Sequence, residues 1–137
     1  MNPLIRDFEG FRAKAYKCPA GVWTVGYGST KWKDGTPVKK GDTITEPVAA
    51  DLTEDYLKRY VRPKLADLKL GPSQQMAIES LCYNIGVNSF LKSKCYKALK
   101  VKDWGTFIRE YDWFKANGVV LNGLIKRRIT ELLVFFS

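Results

Sequence analysis

A chain of 137 residues with 45% hydrophobic and 13% aromatic residues is long enough to bury a core and too apolar for disorder, so one folded domain is expected. Its 23 Lys and Arg against 14 Asp and Glu give a net charge of +9, which favours an anionic partner: nucleic acid, an acidic membrane surface or a bacterial cell wall. With no histidine, and with Cys18, Cys82 and Cys95 at no metal-ligand spacing, zinc chemistry and Ser/His/Asp catalysis lose their usual parts, and a disulfide scaffold is disfavoured.

Asn2 followed by Pro3 predicts a helix over residues 2–10, because Asn accepts from orphan backbone N–H groups and Pro loses nothing at the first helical position. Leu4, Ile5 and Phe8 share one face, Glu9 lies at its edge beside Ile5 and Phe8, and Gly10 stops the helix. Residues 15–17 and 23–27 favour strands, and Pro19-Ala20-Gly21 supplies a turn, so a β-hairpin follows. Gly26 and Gly28 leave the backbone open to close approach. Residues 29–44 read as loop with one short strand.

Thr45-Glu46-Pro47 opens a long helix running to about Leu65, with a kink at Pro63. A helix of about twenty residues is about 30 Å long and would tie two lobes together. Beyond Gly71-Pro72-Ser73 the chain reads as all helix: residues 74–84, 93–100, 103–114 and 122–135, with Ser73, Ser93, Asp103 and Asn122 as caps. The longest apolar run, Leu132 to Phe136, is far short of a membrane span, and Met1 to Glu9 lacks the features of a signal peptide. The chain is therefore expected to remain where it is made.

The predicted fold class is α+β in a single domain, residues 1–137. A small N-terminal lobe with a hairpin or short sheet covers about 11–50, a connecting helix about 46–66, and a helical C-terminal lobe about 67–137. Helix 2–10 is expected to pack near the helical lobe, with a ligand cleft between the lobes.

Three side chains between residues 9 and 29 suit glycosidic bond cleavage, which needs an acid for the leaving oxygen and a second group to activate water or attack. Glu9, half desolvated at the edge of an apolar stripe, suits the acid, although an exposed helix-end carboxylate is the commoner fate of such a residue. Cys18 sits beside the turn; buried cysteines are usually inert, but the charge of Lys17 would favour its thiolate if the two come close. Thr24 would point to one hairpin face, where its hydroxyl could hold a water, although Thr in a strand is ordinarily a strand former.

The spacing Glu9-x8-Cys18-x5-Thr24, framed by Arg12, Ala15, Tyr16, Gly21, Gly26 and Gly28, resembles the phage lysozyme (endolysin) family, glycoside hydrolase family 24. That family's pattern is Glu-x8-(Asp or Cys)-x5-Thr. Residues 75–90, QMAIESLCYNIGVNSF, resemble its central helix with an Asn-hydrophobic-Gly ending, and residues 123–131, GLIKRRITE, resemble its arginine-bearing last helix. The resemblance implies a lysozyme-like fold and hydrolysis of the β-1,4 bond between N-acetylmuramic acid and N-acetylglucosamine in peptidoglycan. It makes Glu9 the general acid, puts Cys18 where the family has its second catalytic residue, and has Thr24 place water or substrate. Tyr27, Gly28, Asn84 and Gly86 would line the cleft, and Arg127 or Arg128 would pair with Glu9 or Asp7 unless they are merely solvated surface arginines.

Two departures stand out. The family often has His after its Gly-x-Gly, where this chain has Ser29, and the chain starts eight residues before Glu9. Access to the wall would then require a partner that opens the membrane, or an upstream segment since removed.

The expected partner is peptidoglycan, with no metal, no cofactor, no nucleic acid and no stable membrane association, and the expected state is a monomer. Nucleic acid is disfavoured because no face interleaves Lys or Arg with aromatics. The alternatives are a lytic transglycosylase working through Glu9 alone and a basic cell-wall-binding module without turnover.

Overall fold

Asn2 caps the first helix as predicted, its side-chain oxygen accepting from the N–H groups of Leu4 (3.0 Å) and Ile5 (3.4 Å). Helix α1 (Pro3–Glu9) ends where the Gly10 N–H donates to the Arg6 carbonyl at 3.2 Å. The computed structural model describes residues 1–137, which divide into two compact units, Met1–Arg59 and Tyr60–Ser137.

In the first unit, strands β1 (Arg12–Lys17) and β2 (Trp23–Gly26) form an antiparallel hairpin with Tyr16 opposite Thr24 and Lys17 opposite Trp23. The Cys18 N–H donates to the Val22 carbonyl at 3.0 Å, and the Gly21 N–H to the Cys18 carbonyl at 2.8 Å. Pro19-Ala20-Gly21 is thus a three-residue loop, with Pro19 opening the turn and Gly21 (φ 79°) closing it in the left-handed region. Helix α2 (Glu46–Tyr56) lies against β2. At Gly26 (φ 66°) a Cβ would stand 2.9 Å from the Ala49 Cβ, so this approach requires glycine. Val25, Tyr27, Val38, Ile44, Ala49 and Leu52 form the core of this unit. Residues 29–44 contain no strand, contrary to the predicted one, only isolated bridges such as Lys31 with Pro37. Pro37 has no N–H to extend that ladder, and Asp34 accepts from the Thr36 N–H and hydroxyl instead, tightening a turn.

The long helix does not stay α-helical. After α2 comes a π-helical turn, Leu57–Val61, then α3 (Arg62–Leu65). Pro63 donates no hydrogen bond and its ring crowds the carbonyl four residues back, so the helix widens just upstream. In place of a kink at Pro63 the observed irregularity is this π segment just upstream of the proline, and the boundary between the units falls inside it.

The second unit is built on α4 (Pro72–Ile85) packed against α8 (Asn122–Phe135). Between them in sequence come α5 (Val87–Leu91), α6 (Lys94–Lys100), α7 (Trp104–Arg109), and a hairpin of β3 (Lys115–Ala116) and β4 (Val119–Val120). Ser93 and Asp103 cap α6 and α7 as predicted. Ser73 does not cap α4: Gly71 holds the N-cap and Pro72 the first helical position, leaving Ser73 inside the helix. Likewise Leu121, in extended conformation, flanks α8, and Asn122 is its first residue. The predicted 103–114 helix stops at Arg109, because the chain turns to bury Tyr111 and then pairs around Asn117 (φ 51°) and Gly118 (φ 76°). Phe107, Tyr111 and Phe135 lie at the centre of an aromatic cluster that Trp104 and Phe136 also join.

Candidate active site

The hairpin brings Cys18 and Thr24 together. Residues paired across a ladder share a face and successive residues alternate, so Tyr16, Thr24, Cys18 and Val22 all point to the same side. Five intervening residues are what it takes to put two side chains diagonally across a three-residue loop. Lys17 and Trp23 point the other way, with the Lys17 ammonium 5.5 Å from the centre of the Trp23 ring. This corrects the expectation that Lys17 tunes the thiol.

Cys18 is partly exposed, and its thiol is held below its ordinary pKa of 9.0, first by a hydrogen bond from the Val22 backbone, against partial desolvation, with the Ala20 backbone and the Thr24 hydroxyl adding to it. Thr24 is buried, and its hydroxyl lies 3.0 Å from the Val22 carbonyl, to which it donates. A hydroxyl has a single proton, so donation to Val22 and donation to the Cys18 sulfur are alternatives. In either state the oxygen keeps lone pairs that can accept from a water.

Glu9 is the last residue of α1 and is half-buried. Only Gly10 and Phe11 separate it from β1, whose first residue, Arg12, pairs with Gly26. The Phe11 and Tyr27 rings meet at 5.7 Å between centroids, which stitches the end of α1 to the far end of β2. Tyr27 is 3% exposed, in the core, and donates its hydroxyl to Glu46 at 2.7 Å. Burial, then this carboxylate partner, raises its pKa. Its place is that of a brace between hairpin and α2. Gly28 (φ 93°) sits in the tight turn that Val25 and Ser29 close by two backbone bonds, 2.9 and 3.0 Å. The turn is thus held by the backbone, with Ser29 where the family often has His.

Asn84 and Gly86 belong to the second unit. Asn84 is exposed in the last turn of α4, and Gly86 (φ 90°) ends that helix by donating to the Cys82 carbonyl at 2.9 Å. Arg127 and Arg128 are not solvated surface arginines: both are buried around Glu131. Arg127 Nε lies 3.3 Å from Glu131 Oε2 and its Nη2 donates to the Ser80 carbonyl at 3.1 Å. Arg128 Nε lies 2.8 Å from Glu131 Oε1, at an angle too poor for a hydrogen bond, while its Nη2 donates to Oε2 at 3.3 Å. Ser80 (2.5 Å) and Tyr111 (3.1 Å) donate to the same carboxylate. Sequence reasoning missed Glu131 and Glu46 alike. Glu46 read only as a good first-turn residue, and its bond to Tyr27 spans 19 positions.

The model of the phage lysozyme family matches residues 6–131. An endolysin of Acyrthosiphon pisum secondary endosymbiont phage 1 is 38% identical over 98% of this chain and 93% of its own length. The endolysin of Bacillus phage B103 is 33% identical over 98% of this chain, which spans about half, 51%, of that longer protein. A solved structure of a P22 lysozyme mutant superposes with a TM-score of 0.84 at 30% identity, covering 99% of this chain and 94% of that one. The hairpin, the long helix and the helical second unit therefore form the lysozyme-like α+β fold expected, and the chain belongs to the phage lysozyme family.

Proposed function

We propose that this chain is a muramidase that hydrolyses the β-1,4 bond between N-acetylmuramic acid and N-acetylglucosamine of peptidoglycan, as a single lysozyme domain that works as a monomer. The observation that carries the reading is the hairpin face on which a partly exposed thiol with depressed pKa stands beside a threonine hydroxyl, at the spacing of the family motif that begins with Glu9. Relatives named endolysin and lysozyme support the same substrate class.

In this mechanism Glu9 protonates the leaving glycosidic oxygen. Cys18, as thiolate, draws a proton from water on the opposite face of the sugar, and Thr24 holds that water through its lone pairs. Gly28, Asn84 and Gly86 contact the glycan, and Tyr27 supports the strand from within the core. The protein is made in the host cytoplasm and reaches the wall once the membrane is permeabilised.

A turbid suspension of permeabilised Gram-negative cells tests the proposal. It should clear with the parent and stay cloudy with Glu9→Gln; clearing that survives the substitution sinks the enzymatic reading. Mass spectrometry of the fragments should show reducing ends, whereas anhydro ends would assign a transglycosylase.

A further inference from the structure

Away from the motif residues, the first unit carries an open hollow of about 340 Å³ lined by Trp32, Lys33, Asp34, Val48, Asp51 and Leu52. None of the six is a catalytic or substrate residue of the mechanism above. The volume lies at the small end of the range for ligand sites, about 300–1,000 Å³, room for one or two rings.

Its walls are mostly carbon. The Trp32 indole N–H is already donated to Asp42 at 3.2 Å, so the ring lines the hollow as apolar surface, backed by buried Leu52. Val48 stands at the rim 51% exposed, an aliphatic side chain that a ligand would cover. The charged side chains of the lining already have partners in the fold. Lys33 pairs with Asp51, and the Lys33 carbonyl accepts from Arg59 at 3.2 Å. Asp34 accepts from the Thr36 hydroxyl at 2.7 Å and from its N–H at 3.0 Å.

With Lys33 taken by Asp51, the hollow has no spare cation to anchor a phosphate or a peptide carboxylate, while Asp34, bonded to the neutral Thr36, leaves one carboxylate charge at the rim. What it offers is an apolar floor with carboxylate lone pairs at its edge, which suits a neutral ligand having one carbon-rich face and a rim of hydroxyl and amide donors. We infer that this hollow binds a neutral N-acetylhexosamine unit of a glycan strand, as a second sugar site separate from the catalytic hairpin. The source of that sugar rests on the muramidase reading. Holding a strand here raises its effective concentration at the hairpin without adding any catalytic contact.

The test uses the full chain carrying Glu9→Gln, titrated with the tetrasaccharide of N-acetylglucosamine and followed residue by residue by NMR. The expected result is a saturable shift of the Trp32 indole N–H and of the Lys33, Val48 and Asp51 amides. Introducing Val48→Glu, an acidic residue tolerated in the first turn of α2, should weaken that response at least tenfold while the fold's spectrum is kept. In the otherwise native enzyme, Val48→Glu should slow clearing of insoluble walls several-fold and leave cleavage of soluble oligosaccharide unchanged. No shift at Trp32, or one that survives Val48→Glu, overturns the inference, as does a shift produced by a stem tetrapeptide and not by the sugar. Failure of the muramidase reading shows separately, as wall clearing by Glu9→Gln.

Discussion

Cys18, at the base of the hairpin turn, keeps part of its surface in water and receives hydrogen bonds from the backbone around it, which depress its pKa. Cys82 on α4 and Cys95 on α6 are fully buried in the second unit, and burial raises both thiols, Cys95 to about 12 and Cys82 higher still. One residue type thus has opposite chemistry in the two units of one chain. Water and backbone donors favour the anion at the first site, and a carbon-lined interior refuses it at the others. Where the second unit does bury charge, around Glu131, it surrounds the carboxylate with two guanidiniums and two hydroxyls.

That contrast predicts the largest effect at Glu131. Replacing it by Ala removes the buried carboxylate that Arg127 and Arg128 share, which should cost about 3–5 kcal/mol. For a chain of this size that lowers the melting temperature by roughly 10–15 °C. Thermal unfolding followed by circular dichroism checks it. A loss below about 1 kcal/mol would mean that water reaches the arginines as readily as at the hairpin.

Next in size is the exchange of roles between cysteines. Cys18→Ala should reduce wall clearing at least about 100-fold, as expected for loss of a group acting in the transition state, with an unchanged melting curve. Cys18→Asp should retain clearing. Cys82→Ala should do the reverse, costing about 1–2 kcal/mol of stability through the cavity it leaves while sparing activity at 25 °C. If Cys18→Ala clears walls as fast as the parent, the thiol is structural.

How much of this was legible in the sequence depended on range. The Asn2 cap and the hairpin with its Pro19-Ala20-Gly21 turn are local, and residue type with spacing sufficed to place them, whereas the register that sets Tyr16 opposite Thr24 came only with the structure. Lys17 misled because adjacency in sequence means opposite faces in a strand. The π segment was half legible: Pro63 announced a break, but a proline does not reveal whether the helix bends or widens. The β3–β4 hairpin was hidden because its strands have two residues each, too few for any alternation to register. Glu131 was invisible for a different reason. Its four partners lie 3, 4, 20 and 51 positions away, and burial of a charge is a property of the packed unit that no window of sequence contains.

The interior thiols also set the direction of the alkaline response. A group whose pKa is raised by folding contributes stability that is complete below its unfolded value, near 9.0 for a thiol, and lost as pH climbs toward the folded value, about 12 at Cys95. Buried Tyr111 acts in the same sense above 10.0. Stability should therefore fall between about pH 9 and 12 by about 1.4 kcal/mol per pH unit for each such thiol. Cys95→Ala should flatten that slope by one thiol's share, whereas Cys18→Ala should leave it unflattened, because the hairpin thiol is shifted the other way. Urea unfolding at a series of pH values measures both.

The smallest effect isolates the Thr24 proton. In the native protein iodoacetamide should alkylate Cys18 and leave Cys82 and Cys95 untouched until denaturant is added. If the Thr24 hydroxyl spends time donating to the sulfur, Thr24→Val removes a donor to the thiolate, and alkylation at pH 7 should slow about two- to threefold as the pKa moves back toward its ordinary value. Thr24→Ser should restore the rate. If instead the proton stays on the Val22 carbonyl, alkylation is unchanged, and only the wall-clearing rate falls, because the lone pairs that hold the water are gone while the thiol keeps its backbone donors. The two outcomes assign the hydroxyl either to tuning the sulfur or to holding the water.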